Sequence, residues 1–261
     1  MTTKTILAKK GKEKIVMLTA YDSITASMAS NVDMILVGDS LANTALGYAN
    51  TLPVSLEAMY HHAAAVARAA GNSLVVFDLP FLACCGDIPR DVAAAGRALK
   101  DCGCHAVKLE GGRAHAPFVR ALVDRGIPVV GHLGLMPQHV HSYGGMFVQG
   151  RGDEAERALL EDAEALVAAG IFALVLECIP EGLGKRVSEA IPVPTIGIGA
   201  GRFCDGQVQV IADLLGLVDG KLPKHARRYA SLQEIGREAV ARYIDDVRSS
   251  RFPGEDNAFG E

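Results

Sequence analysis

Short apolar runs alternate with longer stretches of helical periodicity from one end of the chain to the other. The runs cover residues 16–19, 34–37, 74–77, 106–109, 128–130, 173–176, 195–198 and 208–211. They are short, rich in β-branched residues and mostly free of period-2 polarity, which is the pattern of strands covered on both faces. Between them, residues 55–70 place Leu56, Met59, Ala63 and Val66 on one stripe and stop at Gly71. Residues 87–102 carry Pro89 in the first turn, turn Val92 and Leu99 inward and stop at Gly103. Residues 114–125 offer Phe118 and Leu122 and stop at Gly126. Residues 153–169 open with acids, align Leu159, Ala163 and Leu166 and stop at Gly170. Acids at the start complement the helix dipole, and glycine just past the end suits a left-handed cap.

Strands alternating with helices predict an α/β fold with a parallel sheet, either doubly wound or closed as a (β/α)8 barrel. No linker-like composition shift divides the chain and no internal repeat is visible, so residues 1–261 read as a single domain. Residues 223–261 read as peripheral: 231–248 as a surface or interface helix, and 252–261 as a polar tail.

Composition narrows the function. With 49% hydrophobic and 21% charged residues, the chain is neither disordered, collagenous nor a coiled coil. A chain of this length buries roughly three quarters of its unfolded surface, so it needs no metal or disulfide staple, and a metal would serve chemistry. Lys+Arg 26 against Asp+Glu 30 argues against a nucleic-acid or anionic-membrane surface. The absence of Trp removes the best stacking platform for bases. Cys84, Cys85, Cys102, Cys104, Cys178 and Cys204 match neither zinc nor redox spacing, and read as reduced thiols filling a core. Residues 1–14 hold five lysines and no apolar segment, unlike a secretory signal. The longest uncharged stretch, 127–150, contains five Gly, three His and two Pro and cannot span a bilayer. A soluble, cytoplasmic protein is expected.

The chemistry lies where the apolar runs end. Met34-Ile-Leu-Val-Gly-Asp39, Leu74-Val-Val-Phe-Asp78, Ala106-Val-Lys-Leu-Glu110 and Ala173-Leu-Val-Leu-Glu177 each finish with a carboxylate. Ligands of parallel α/β folds bind outside the carboxyl ends of the strands, so these acids converge on one mouth. There they repel one another unless protons or a cation intervene. Any one of them could merely cap the following helix. Asp39, Asp78 and Glu110 come from successive strands and offer hard oxygen donors without paired histidines, which points to Mg2+.

Lys108 lies two residues before Glu110, so both side chains share a face of the strand. An inward lysine anchors a substrate carboxylate, forms a Schiff base or pairs with a neighbouring acid. His132 ends an apolar run and is either a site residue or a hydrogen-bonded structural group. His139 and His141 lack the H-E-x-x-H frame, and His61 and His62 read as a helix face. Gly197-Ile-Gly-Ala-Gly201 lacks the dinucleotide register and reads as a tight loop at the mouth.

These residues stand in segments that resemble the ketopantoate hydroxymethyltransferase family. The matching motifs run from Met17-Leu-Thr-Ala-Tyr-Asp22 to Leu217. They include Val37-Gly-Asp-Ser40, Thr51-Leu-Pro-Val54, Phe77-Asp-Leu-Pro-Phe81, Val107-Lys-Leu-Glu-Gly-Gly112 and Gly131-His-Leu-Gly-Leu135. Gln149-Gly-Arg151, Leu176-Glu-Cys-Ile-Pro180 and Cys204-Asp-Gly-Gln207 complete the set. The resemblance implies a (β/α)8 TIM barrel of the phosphoenolpyruvate/pyruvate type, assembled as a homodecamer. It implies transfer of a hydroxymethyl group from 5,10-methylenetetrahydrofolate to 3-methyl-2-oxobutanoate through a Mg2+-stabilised enolate, giving 2-dehydropantoate for pantothenate biosynthesis. Carried over, Asp39, Asp78 and Glu110 hold the metal. Asp39, Ser40, Asp78 and Lys108 bind the oxo acid, and Glu177 accepts the proton.

The chain departs from the family pattern at Leu82-Ala-Cys-Cys-Gly86, where a Ser-Tyr pair is common, and at Met136 and Met146-Phe147. The charged site positions are intact, so chemistry is expected to survive while substrate affinity differs. Two rival readings are a Mg2+-dependent lyase or aldolase acting on 2-oxo acids without folate, and a non-catalytic barrel kept for assembly.

Overall fold

The inward-facing rows of the strands are apolar at one end and charged at the other, and this places the chemistry. The computed structural model describes residues 1–260. Its strands are β1 (Ile15–Thr19), β2 (Met34–Val37), β3 (Leu74–Asp78), β4 (Ala106–Glu110), β5 (Val129–Gly134), β6 (Ala173–Glu177), β7 (Thr195–Ile198) and β8 (Gly206–Gln209). Each pairs in parallel with the next, and β8 closes onto β1. The expected TIM barrel is therefore present.

Met34 and Leu36, Leu74 and Val76, and Ala173 and Val175 fill the barrel interior together with Met17, Ala106, Val130, Ile196 and Val208. Ile6, from the helix Thr3–Ala8, joins this cluster. Continuing each row by two residues leads from Val76 to Asp78 and from Ala106 through Lys108 to Glu110. The same step leads from Val130 to His132 and from Val175 to Glu177. The apolar layers thus give way to a polar layer at the carboxyl ends of the strands.

Helix starts and stops follow the expected local chemistry. Ser55 caps Leu56–Ala69 by accepting from the Ala58 amide, and Asp87 caps Ile88–Lys100 by accepting from the Arg90 amide. Asp153–Ala169 ends in a left-handed Gly170.

Four expectations need correction. β8 spans Gly206–Gln209 rather than 208–211. A Cβ on Gly206 would lie 2.4 Å from the Ile15 carbonyl oxygen, so only glycine permits the seam to close there. Ile211 instead begins a helix, its amide donating to Thr19 Oγ1. β5 runs on to Gly134, well past Val130, because Gly131 packs beneath Leu166, Ile171 and Leu174 while His132 faces inward. The stretch 114–125 is a 3-10 turn, Arg113–His115, followed by the helix Ala116–Val123. In Ile88–Lys100 the buried face is Asp91, Ala95 and Ala98, which leaves Val92 and Leu99 half-buried.

The chain forms two compact units, one ending at Ile211 and the other made of the residues after it. In the second, the helix Leu232–Arg248 has no buried residue. All six cysteines are free thiols. Among the described residues, no helix is long and apolar enough to cross a membrane.

Candidate active site at the barrel mouth

Parallel register brings the charged residues into contact. Asp78 and Lys108 are direct partners across β3 and β4, and Lys108 Nζ donates to Asp78 Oδ1 at 2.7 Å. Glu110 and His132 are direct partners across β4 and β5. Glu177 pairs with Gly134, two residues beyond His132, so it stands diagonally across from the imidazole. His132 Nδ1 lies 3.4 Å from Glu110 and Nε2 lies 3.3 Å from Glu177. Those are ion-pair contacts rather than well-formed hydrogen bonds, and neither ring nitrogen has a hydrogen-bond partner. A Cβ at Gly134 would lie 2.2 Å from the Glu177 carbonyl oxygen, so glycine is what lets β5 and β6 approach here.

Asp39 comes from the turn after β2, and its amide donates to Asp78 Oδ2 over a long 3.3 Å. Ser40 follows it, with its hydroxyl 2.9 Å from the hydroxyl of buried Tyr21. Asp39, Asp78, Lys108, Glu110 and His132 are all buried, whereas Glu177 keeps its side chain partly exposed. The structure thus links Asp39, Asp78 and Lys108 in one set of contacts and Glu110, His132 and Glu177 in another, with Ser40 following Asp39 in the chain. Lys108 pairs with Asp78, and His132 stands between Glu110 and Glu177.

Sequence reasoning missed Gln138. Its side-chain amide donates to Asp39 Oδ2 at 3.0 Å and to the Leu79 carbonyl at 2.9 Å, and its backbone amide donates to Glu110 Oε2 at 3.1 Å. The available signal was its place: a polar residue in the loop after β5, on the same face of the barrel as the acids. Beside it opens a cavity of about 200 Å³ lined in part by Leu79, Pro80, Leu109, Glu110, His115 and His139.

Electrostatics distinguish the acids. Burial drives Asp39 well above the ordinary carboxylate range, and the charges of Asp78 and Glu110 add to it. Burial also raises Asp78, against the opposing pull of Lys108. Burial would raise Glu110 too, but His132, Lys108 and the Gln138 amide outweigh it and hold the group low. Lys108 pays for its burial yet is raised overall by Asp78, Glu110 and Asp39. His132 resists protonation through burial and through Lys108, but Glu110 and Glu177 bring it to about 9. Two cations therefore face four acids, and Asp39, which has no cationic partner, carries the strain.

That imbalance is what a bound divalent cation would relieve. Among the described residues, no three His, Cys, Asp or Glu side chains form a ready-made metal cage. Mg2+ does not need one, because it usually takes one or two carboxylates and completes its shell with water and substrate oxygens. Asp39 Oδ1 is free of hydrogen bonds, and Glu110 Oε1 is buried without one. The donor set is all oxygen and carries excess negative charge, so it fits a hard cation.

Comparison with known proteins points the same way. The profile described as Ketopantoate hydroxymethyltransferase matches residues 1–255. A 3-methyl-2-oxobutanoate hydroxymethyltransferase of Pseudothermotoga lettingae is 52% identical over 252 residues, covering 96% of this chain and 95% of the relative. Among solved structures, a phosphoenolpyruvate phosphomutase from Streptomyces platensis subsp. rosaceus aligns with a TM-score of 0.62 at 14% identity. That alignment covers 100% of this chain and 92% of the other. A 2,3-dimethylmalate lyase, a PEP mutase/isocitrate lyase superfamily member, aligns with a TM-score of 0.57 at 13% identity over 99% of this chain and 91% of its own. At such identities these two structures speak for the barrel type alone.

Proposed function

Because this chain belongs to the ketopantoate hydroxymethyltransferase family, we propose how its barrel mouth carries out that family's reaction. The protein is an enzyme that transfers a hydroxymethyl group to 3-methyl-2-oxobutanoate in pantothenate biosynthesis. The donor is 5,10-methylenetetrahydrofolate, the product is 2-dehydropantoate, and the cofactor is Mg2+ held by Asp39, Asp78 and Glu110. The observation that carries this reading is the set of three buried acids around Lys108, with Asp39 left uncompensated.

Asp39, Asp78 and Glu110 would hold the ion, which would supply Lewis-acid charge to the oxo acid. Lys108 and Ser40, with the Asp39–Asp78 rim, hold the carboxylate end of the substrate and so fix the position of C3. Lys108 acts as a charge, because Asp78 already holds its amine. Glu177, partly exposed at the end of β6, takes the proton from C3. His132, between Glu177 and Glu110, orients the base.

The carbon left by that proton forms a bond to the methylene carbon of the folate as one of the two C–N bonds of that carbon breaks and the freed nitrogen takes up a proton. C3 is then quaternary and has no hydrogen left to lose, so simple elimination across the new bond is closed. A water oxygen must replace the folate nitrogen on the transferred carbon, and tetrahydrofolate leaves with a proton. The cavity beside Glu110, walled by Leu79, Pro80, Phe81 and Leu82, offers the folate an apolar approach to C3.

Assembly as a homodecamer in the cytoplasm belongs to the same reading. Its support is the helix Leu232–Arg248, whose Val240, Tyr243, Ile244 and Val247 form an exposed apolar stripe at helical spacing. The test is formation of 2-dehydropantoate by the purified enzyme with 3-methyl-2-oxobutanoate and Mg2+. Product is expected only when methylenetetrahydrofolate is present. Turnover of the oxo acid without folate would replace this reading with a lyase or aldolase.

A further inference from the structure

The three acids at the mouth differ in what saturates them. Asp78 Oδ1 accepts from Lys108, and its Oδ2 receives only the long contact from the Asp39 amide. Asp39 Oδ2 accepts from the Gln138 side chain, and Glu110 Oε2 accepts from the Gln138 backbone amide. One residue therefore holds the acids of β2 and β4, which are not neighbours in the barrel. Among the described residues, no hydrogen bond reaches Oδ1 of Asp39 or Oε1 of Glu110, the latter having only the 3.4 Å ion-pair contact with His132 Nδ1.

The orientation of Gln138 is unambiguous. A carboxylate and a backbone carbonyl only accept, so the NH2 of the amide must face both Asp39 and Leu79. Its two donors meet two acceptors, and the group cannot turn without losing a buried hydrogen bond. Among the described residues, Gln138 is also the only side chain that donates a hydrogen bond to the Asp39 carboxylate.

We infer that Gln138 is the positioning residue of the metal site, holding Asp39 and Glu110 so that their free oxygens face the ion. It acts by orienting two ligands through one short loop, as the groups behind metal-bound carboxylates generally do. The inference rests on the metal reading above, and extends it to a residue outside the acid set.

The test uses Mn2+ as the probe, added to the full-length enzyme without substrates, with free Mn2+ followed by electron paramagnetic resonance. Gln138→Met keeps the length and volume but has no donor, while its backbone amide still reaches Glu110. Mn2+ binding is expected to weaken by about ten- to a hundredfold. In the assay the Mg2+ requirement should rise by a similar factor, with kcat largely recovered at saturating Mg2+. Gln138→Ala, in which a water can donate in place of the amide, should lose less; circular dichroism reports whether each variant is folded, and Ala decides if Met is not. Ser142→Ala removes a hydroxyl bond to the His139 carbonyl in the same loop without touching the acids, and should leave Mn2+ affinity unchanged.

Wild-type Mn2+ affinity in a folded Gln138 variant overturns the inference while leaving the metal site standing. Equal weakening by Ser142→Ala overturns it as well, since loop order rather than the amide would then be responsible. Failure of the wild-type enzyme itself to bind Mn2+ removes both the inference and the metal reading.

Discussion

Lys108 Nζ and Asp78 Oδ1 lie 2.7 Å apart across adjacent strands, and neither side chain reaches solvent. The contact decides which of the lysine's possible roles the barrel allows. A buried amine poised for imine formation needs a depressed pKa, whereas the acids around Lys108 raise it. Borohydride added with 3-methyl-2-oxobutanoate should therefore leave the mass of the enzyme unchanged. A reduced adduct on Lys108 would establish the Schiff-base route instead.

The same pair makes Lys108 a stability element. Lys108→Met leaves Asp78 buried beside two other acids, with its ion-pair partner gone and only the charge of His132 acting on it. Removing one partner of a buried pair costs about 3–5 kcal/mol. Urea unfolding of the metal-free variant should show a loss of that order, and a midpoint equal to wild type would mean that the pair adds nothing.

Activity should depend on a divalent cation. Exhaustive chelation is expected to abolish product formation, and Mg2+ to restore it, because the one cation acting on Asp39, Lys108, is bonded to Asp78 instead. Full turnover in protein shown by elemental analysis to be metal-free would remove the ion from the mechanism.

Glu177 can be assigned by dividing the reaction at the first proton transfer. With Mg2+ and deuterated water, the enzyme should exchange the C3 hydrogen of the oxo acid even without folate. Glu177→Gln keeps the size and removes the base. Exchange and overall turnover should then fall together, by about a hundredfold or more. Wild-type exchange alongside collapsed turnover would move Glu177 to the water step.

Away from the mouth, Asp205 ties the loop before β8 to the N-terminal segment. It accepts from Lys10 Nζ at 2.7 Å, from the Thr195 amide at 2.8 Å and from the Gly11 amide at 3.1 Å. Burial alone would raise its carboxyl, but Lys10 and those two amides hold it below the usual range. A lowered folded pKa gives stability that is full above the unfolded value, about 3.9, and is lost as pH falls through the folded one. Asp205→Asn should thus be less stable than wild type near neutral pH, by about 1–3 kcal/mol. The gap should shrink below about pH 4. Denaturant midpoints across that range report it, and a gap independent of pH would mean that the charge contributes nothing.

The barrel and its acids were legible along the chain because both depend on local periodicity. Strands buried on both faces must be short apolar runs, and helices that cover them must show a stripe, an acidic start and a glycine stop. Asp78, Glu110 and Glu177 could be placed at the mouth because each ends such a run, and in a parallel barrel the run ends share one face. The family motifs then supplied the reaction, which no periodicity encodes.

Tertiary structure decided what depends on register and on loops. The predicted run stops at Val130, and packing of Gly131 against Leu174 and the approach of Glu177 to Gly134 carry the strand on to Gly134. The pairing of Lys108 with Asp78, and the placing of His132 between Glu110 and Glu177, follow from which residues stand opposite one another in the closed sheet. Gln138 lies in a single 3-10 turn, Pro137–His139, and reaches Asp39 across 99 positions of the chain. A hydrogen bond of that range leaves no local pattern, because neither partner's neighbours need change to permit it. Local composition determines which residues enter the polar layer of a barrel, but closure of the chain in space determines which of them touch.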